Sequence, residues 1–322
     1  MDAAISFICE YVSLPSTLGM LQCSSRSCQA GVTDAHWDAI LRQSGVYLSA
    51  SPGRLFEEKA RGQLKEYHRR LNLVKRNPTN PHGINTTLHL IMVGARGCGQ
   101  SCLLNFFRWR CRPSELVSHE ELRIRSVGTA VDGSLVKLHI CDKRASLRTS
   151  GFAGALYTRP GSCLMLVFNC TDPAGLAPAA AELLRILCVT NSFATPWYDG
   201  TAAAVANAAP AAAGVLPAGK LPIVLVAAKA DYKARRTVRY DEGAAFARAH
   251  GCAAYVETSA VDERNCDAAF LLAAFEAAAS LRHFHGRLDK EAVSCSKAGT
   301  AAANVAAAMA AVAITVVPTA SV

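Results

Sequence analysis

Gly94-Ala95-Arg96-Gly97-Cys98-Gly99-Gln100-Ser101 decides the reading of this chain. An apolar run, Leu88 to Val93, leads into it, and Cys102–Arg110 reads as a helix leading out. A strand, a glycine-rich turn and a helix in that order make a phosphate-binding loop. The glycines let backbone N–H groups crowd around a diphosphate, and the helix N-terminus adds partial positive charge. An intact loop carries a lysine where Gln100 stands. A neutral amide donates a hydrogen bond but brings no charge, so the cradle is expected with its principal cation missing.

Outward from this loop the pattern alternates strand and helix. Leu122–Val131 and Leu135–Cys141 flank Asp132-Gly133, a strong hairpin signal. Leu164–Phe168 and Ile223–Val226 are short apolar runs suited to buried parallel strands. Ala177–Val189, Tyr240–His250 and Asn265–His285 carry helical periodicity. The expected fold is α/β, a doubly wound and mostly parallel sheet with ligands at the carboxyl ends of its strands. Asp142 closes the strand Leu135–Cys141, where it can reach a Mg²⁺ ion beside Ser101.

The remaining stretches divide the chain. Residues 1–50 show no clear period and receive no assignment. Residues 51–87 hold a basic amphipathic helix and a linker. Leu55, Ala60, Leu64, Tyr67, Leu71 and Val74 recur on one side, while Arg54, Lys59, Arg61, Lys65, Arg69, Arg70, Lys75 and Arg76 fill the others. Ser51-Pro52 is its expected start, and it stops before Pro78. Two roles stand open for this helix: docking on its own domain with a solvated basic face, which is favoured, or binding a membrane surface or a partner. Residues 88–290 form the α/β region, interrupted by an alanine-rich insertion at 191–220. Residues 291–322 form an alanine-rich tail, long enough across 298–322 to span a bilayer but weak in apolar character.

Composition narrows the functional classes. A net charge of +9 over 322 residues comes without a dense Lys/Arg block, so nucleic acid is not an expected partner. The 13 cysteines are scattered, with no Cys-x-x-Cys pair, which points to buried thiols in a reducing compartment rather than a disulfide framework. Cys23, Cys28 and His36 lack a fourth zinc ligand. The last four residues, Thr-Ala-Ser-Val, are no prenylation box, so any membrane association needs another device. The expectation is a cytoplasmic protein, at most peripherally attached to membranes.

Further landmarks follow the loop in order: Tyr157-Thr158-Arg159-Pro160-Gly161, Leu166-Val167-Phe168-Asn169-Cys170-Thr171-Asp172, Ala227-Ala228-Lys229-Ala230-Asp231 and Glu257-Thr258-Ser259-Ala260. With them the chain resembles the Ras superfamily of small GTPases, nearest to its Ras and Rab branches, over residues 88–286. The resemblance implies GTP or GDP as ligand, Mg²⁺ as cofactor, and protein effectors or regulators as partners. It implies that Asp231 pairs with the guanine N1 and N2 hydrogens and that the Lys229 stem covers the base. It further implies that a backbone N–H of Ser259-Ala260 meets the guanine oxygen. Ala228 replaces the family's asparagine. Gly94, Arg96, Gly97, Cys98, Gly99, Gln100, Ser101 and Cys102 match the phosphate loop, and Ser101 and Asp142 match the magnesium positions.

Departures from the family cluster on the phosphate side. Arg96 stands where glycine is common, either obstructing the γ-phosphate or supplying a substitute charge. Ala145 replaces the glycine that turns toward the γ-phosphate, and Ser146 replaces the glutamine that orients the attacking water. The segment Arg112–Glu121 offers no switch threonine. A guanine-nucleotide-binding protein with weak or absent hydrolysis is the expected function. The alternatives are a nucleotide-free scaffold and an active GTPase with compensating residues.

Overall fold

The computed structural model describes residues 34–49, 59–76, 84, 86–110, 125–144, 157, 159–192 and 221–285. The chain divides into two units, 1–280 and 281–322. The second contributes only the helical residues 281–285 to the described set. Everything that follows concerns the first.

Eight strands form one sheet in the order β1-β8-β7-β6-β3-β5-β4-β2. They are β1 (Val46–Leu48), β2 (Val74–Arg76), β3 (Thr87–Gly94), β4 (Arg125–Val131), β5 (Ser134–Arg144), β6 (Ser162–Asn169), β7 (Ile223–Ala228) and β8 (Ala254–Glu257). From β8 through β5 neighbouring strands run parallel, while β4, β2 and β1 are antiparallel additions. Parallel strands covered on both faces need apolar side chains at successive positions rather than alternate ones. That is why Leu88 to Val93 and Ile223 to Ala228 are buried without a break. The expected hairpin is present: Asp132 at φ 49° and Gly133 at φ 78° form the two-residue turn between β4 and β5.

The helices are α1 (Asp34–Ser44), α2 (Ala60–Leu73), α3 (Gln100–Trp109), α4 (Ala177–Ser192), α5 (Tyr240–Ala249) and α6, which begins at 266. One face of α3 buries Leu103, Leu104, Phe106 and Phe107, and Phe107 stacks on Phe270 of α6 with ring centroids 4.2 Å apart. Strand order reverses around β3, whose two neighbours, β5 and β6, come later in the chain. The carboxyl end of β3 therefore opens the crevice where such sheets bind ligands.

Three features depart from the sequence expectations. First, the stretch left without assignment supplies α1 and β1, and Trp37, Ile40 and Leu41 of α1 pack on Ala60 and Leu64 of α2. Second, the basic helix ends at Leu73: Val74 turns extended, at φ −120° and ψ 118°, and begins an edge strand paired with β4. Third, Arg70 is fully buried instead of solvated. Its guanidinium donates to Glu66 Oε1 (2.7 Å) and Glu276 Oε1 (2.6 Å), joining α2 to α6. The proposed helix start at Ser51-Pro52, most of the insertion and the 298–322 tail lie outside the described residues. Among the described residues no helix is long and apolar enough to cross a membrane.

Candidate functional site

Packing accounts for the glycines of the loop. Gly94 is the last residue of β3 and pairs in register with Val167 of β6. A Cβ there would lie 2.1 Å from the Val167 carbonyl oxygen and 2.8 Å from Cys98 Sγ, so no side chain fits. Gly99 precedes α3 at φ 110°, where an L-residue is strained, and its missing Cβ faces Ala228 Cβ across 3.1 Å. The phosphate loop thus rests directly on the end of β7.

Gln100 turns inward rather than toward a ligand. It is 7% exposed, and in the amide orientation that satisfies both ends its oxygen accepts from the backbone N–H groups of Gly94 (3.0 Å) and Val93 (3.1 Å). Arg96 and Gly97 are exposed at the crest of the loop, and Cys98 is buried beneath it. Burial pushes the Cys98 thiol up to about 11 and raises that of Cys102, so both stay protonated at neutral pH and are poor nucleophiles.

Ser101, in the first turn of α3, has its hydroxyl 3.5 Å from Asp142 Oδ2. The sequence has Asp142 closing a strand at Cys141. Instead β5 continues to Arg144, paired with Gly94, and Asp142 sits buried opposite Met92. A hydroxyl and a carboxylate are hard oxygen donors, and Mg²⁺ is commonly held by one or two such groups with phosphates completing its shell. The pair therefore fits that ion. Ala145 and Ser146 lie outside the described residues.

On the other side of α3 a cleft of about 320 Å³ is lined by Gly99, Cys102, Leu103, Thr171, Ala228, Lys229, Asp231, Tyr232, Arg235, Thr258, Ala260 and Val261. Lys229 stands at φ 66°, an uncommon conformation for a side-chain-bearing residue, held by bonds on each side. Cys170 N–H donates to Ala228 O (3.1 Å), Ala230 N–H to Thr258 O (3.0 Å) and Tyr232 N–H to Lys229 O (3.2 Å). Asp231 Oδ1 is buried with no hydrogen-bond partner among the described residues. An unsatisfied buried carboxylate oxygen costs on the order of 1–3 kcal/mol or more unless a donor reaches it. The cleft beside it is where such a donor would enter.

Of the residues anticipated for the base, Lys229, Asp231 and Ala260 meet in this cleft. Ser259 does not line it. It is fully buried, its N–H donates to Arg264 O (3.0 Å) and its hydroxyl accepts from Asp262 N–H (3.0 Å). Gly99 and Cys102 connect the cleft to the phosphate loop. Tyr232, Arg235 and Val261 went unnoticed in the sequence. Their signal was position: Tyr232 and Val261 directly follow Asp231 and Ala260, and each is a large apolar side chain left about half exposed (50% and 48%) at the cleft.

Comparison with known proteins agrees with this architecture. The Ras family model matches residues 203–279, from within the insertion through β7, β8 and into α6. The GTP-binding protein YPT1 of Saccharomyces cerevisiae is 28% identical over 182 residues, covering 56% of this chain and 74% of the yeast protein. With a glycine loop between β3 and α3, a cleft built by the loops after β7 and β8, and these two matches, the chain is similar to the Ras superfamily of small GTPases.

Proposed function

We propose that this chain binds guanine nucleotides with little or no hydrolysis and acts through protein partners as a regulatory protein in signalling or vesicle trafficking. The observation that carries the reading is Asp231 Oδ1, buried and without a partner among the described residues, beside a cleft that also holds Lys229 and Ala260. A guanine edge presents two N–H donors to a carboxylate, whereas an adenine edge presents one donor and one acceptor. Ser101 and Asp142 would hold Mg²⁺, which when bound supplies charge stabilisation to phosphate oxygens. Residues 88–290 would form the nucleotide-binding region, with 291–322 as a tail.

Weak hydrolysis follows from what stands on the phosphate side. Phosphoryl transfer depends on a charge clamp and a positioned water together. Gln100 supplies no charge, and its amide oxygen is engaged with its own loop. Ser146 has a shorter side chain than the glutamine it replaces. That inward amide also favours a second reading, a nucleotide-free scaffold, because it is spent on the end of β3, the N–H groups of Val93 and Gly94, and is not presented to a ligand. Cytosolic residence, with at most salt-sensitive membrane association, belongs to the same proposal; Arg70 buried and Arg69 paired with Glu66 leave α2 less free cationic surface than its sequence suggests.

Titration of the purified protein with GDP, GTP and ADP in the presence of magnesium, together with single-turnover hydrolysis of GTP, tests the proposal. The expected outcome is guanine-selective binding with hydrolysis near background. Equal binding of ADP would sink the guanine reading, and no binding of any nucleotide would establish the scaffold.

A further inference from the structure

The segment before α2 is fastened to the strand and loop ends that lead into the wall of the cleft. β1 pairs with β8 as Val46↔Val256, Tyr47↔Tyr255 and Leu48↔Ala254. Where this ladder ends, the two chains remain tied. Glu257 N–H donates to Gly45 O (2.7 Å), the Arg264 guanidinium donates to Gln43 O, and the Tyr240 hydroxyl donates to Val46 O (2.8 Å). Asn265 is the junction: its Nδ2 donates both to Ser44 O (2.8 Å) and to Glu257 O (2.9 Å). It stands at φ 53°, a conformation that asparagine tolerates better than most residues.

Between Glu257 and Asn265 runs the loop that carries Ala260 and Val261. It is closed by reciprocal backbone bonds, Ser259 N–H to Arg264 O (3.0 Å) and Arg264 N–H to Ser259 O (2.9 Å). Both ends of this loop are therefore fastened to the end of α1 and the start of β1, and Asn265 fastens them simultaneously. We infer that Asn265 is a positioning residue through which the segment Asp34–Leu48 sets the order of the loop walling the cleft, so that nucleotide residence depends on how that segment is docked. A strand that merely sealed the edge of the sheet would leave the loop and the ligand indifferent to it. The ligand in this inference rests on the proposed function; the mechanical coupling between segment and loop does not.

The decisive variant is Asn265→Asp in the full chain. It keeps a side chain that tolerates positive φ and an oxygen for the Tyr67 hydroxyl, and it replaces the two N–H donations with an oxygen that faces the Ser44 and Glu257 carbonyls. Tyr240→Phe is a milder second variant that deletes the bond to Val46 O. Dissociation of a fluorescent GDP analogue and residue-resolved amide hydrogen exchange are the readouts. Losing the two bonds of Asn265 should speed dissociation about 10-fold, and losing the one bond of Tyr240 about 3-fold. Exchange at 46–48 and at 258–264 should accelerate together, while β3 and β6 stay unchanged. Faster exchange at 46–48 with an unaltered loop and unaltered dissociation overturns the inference. If the wild type binds no guanine nucleotide, the proposed function fails and the exchange data alone decide the positioning role.

Discussion

At the proposed base end of the cleft, Asp231 keeps a buried carboxylate oxygen with no hydrogen-bond partner among the described residues. At the phosphate end, Gly94 and Gly99 keep their places while the cation is gone. The contrast separates two reasons for a residue to persist. Gly94 is dictated by packing, since any Cβ would strike the Val167 carbonyl whether or not a phosphate ever binds. Asp231 has no such structural need, and burying an unpaired carboxylate oxygen costs stability. The aspartate is therefore better testimony about a ligand than the glycines, although the glycines drew attention first.

The largest expected effect falls outside both ends, on the ion pairs that join α2 to α6. Replacing Arg70 with Met leaves Glu66 and Glu276 buried without their shared cation, which should cost about 3–5 kcal/mol in urea unfolding. Guanine preference of the folded protein should survive, and its loss would mean that base recognition depends on how α2 is tied to α6. Next comes Asp231→Ala, which removes the carboxylate proposed to accept two donors. GDP affinity should fall on the order of 100-fold in calorimetric titration, with the preference over ADP erased. Retained selectivity would move base recognition to another group.

Gln100→Lys sharpens the comparison from the opposite end. An ammonium there should tighten GDP and GTP binding about 10-fold. It should change single-turnover hydrolysis little, because a charge felt equally by ground and transition states does not raise the chemical rate. Family-like hydrolysis with unchanged affinity would contradict the account of the phosphate side.

The smallest effect concerns β3 itself, which begins near His89 and ends at Gly94. Burial, with Arg159 and His139 adding positive charge nearby, pushes the His89 imidazole down to about 4, and its Nε2 is buried without a partner among the described residues. The unfolded chain then binds protons that the native state refuses between roughly pH 6.5 and pH 4, so stability is fully present above that window and declines as pH falls through it. For His89→Phe, the loss of unfolding free energy from pH 7 to pH 6 should be smaller than in the wild type by under about 1 kcal/mol. An unchanged pH slope would show that the group does not titrate as its burial implies.

Legibility in the sequence followed burial. β3, β6 and β7 announced themselves because both their faces are covered, and Asp132-Gly133 marked its turn by chemistry that few other dipeptides satisfy. Val46-Tyr47-Leu48 is too short to carry a period, and its partner lies far along the chain. Val74 misled because it follows Leu71 at helical spacing, yet pairing with Val131 holds it extended. Arg70 misled because sequence shows a charge but not the two carboxylates that let it be buried. At the site, the resemblance to a family's ordered motifs pointed to Lys229, Asp231 and Ala260, which line the cleft. The inward turn of Gln100 and the withdrawal of Ser259 depend on hydrogen bonds that spacing does not encode.

β1 and β8 also constrain the order in which the protein assembles. On a ribosome, Val46–Leu48 emerges roughly 200 residues ahead of Ala254–Val256, so its ladder waits on closure of a very long loop. Until then Trp37, Ile40 and Leu41 pack on Ala60 and Leu64 of α2, and the chain presents an unfinished sheet. The cleft wall at Ala260 and Val261 is consequently completed after the phosphate loop, and a nascent chain would gain its full grip on a ligand only once β8 and the loop after it have emerged.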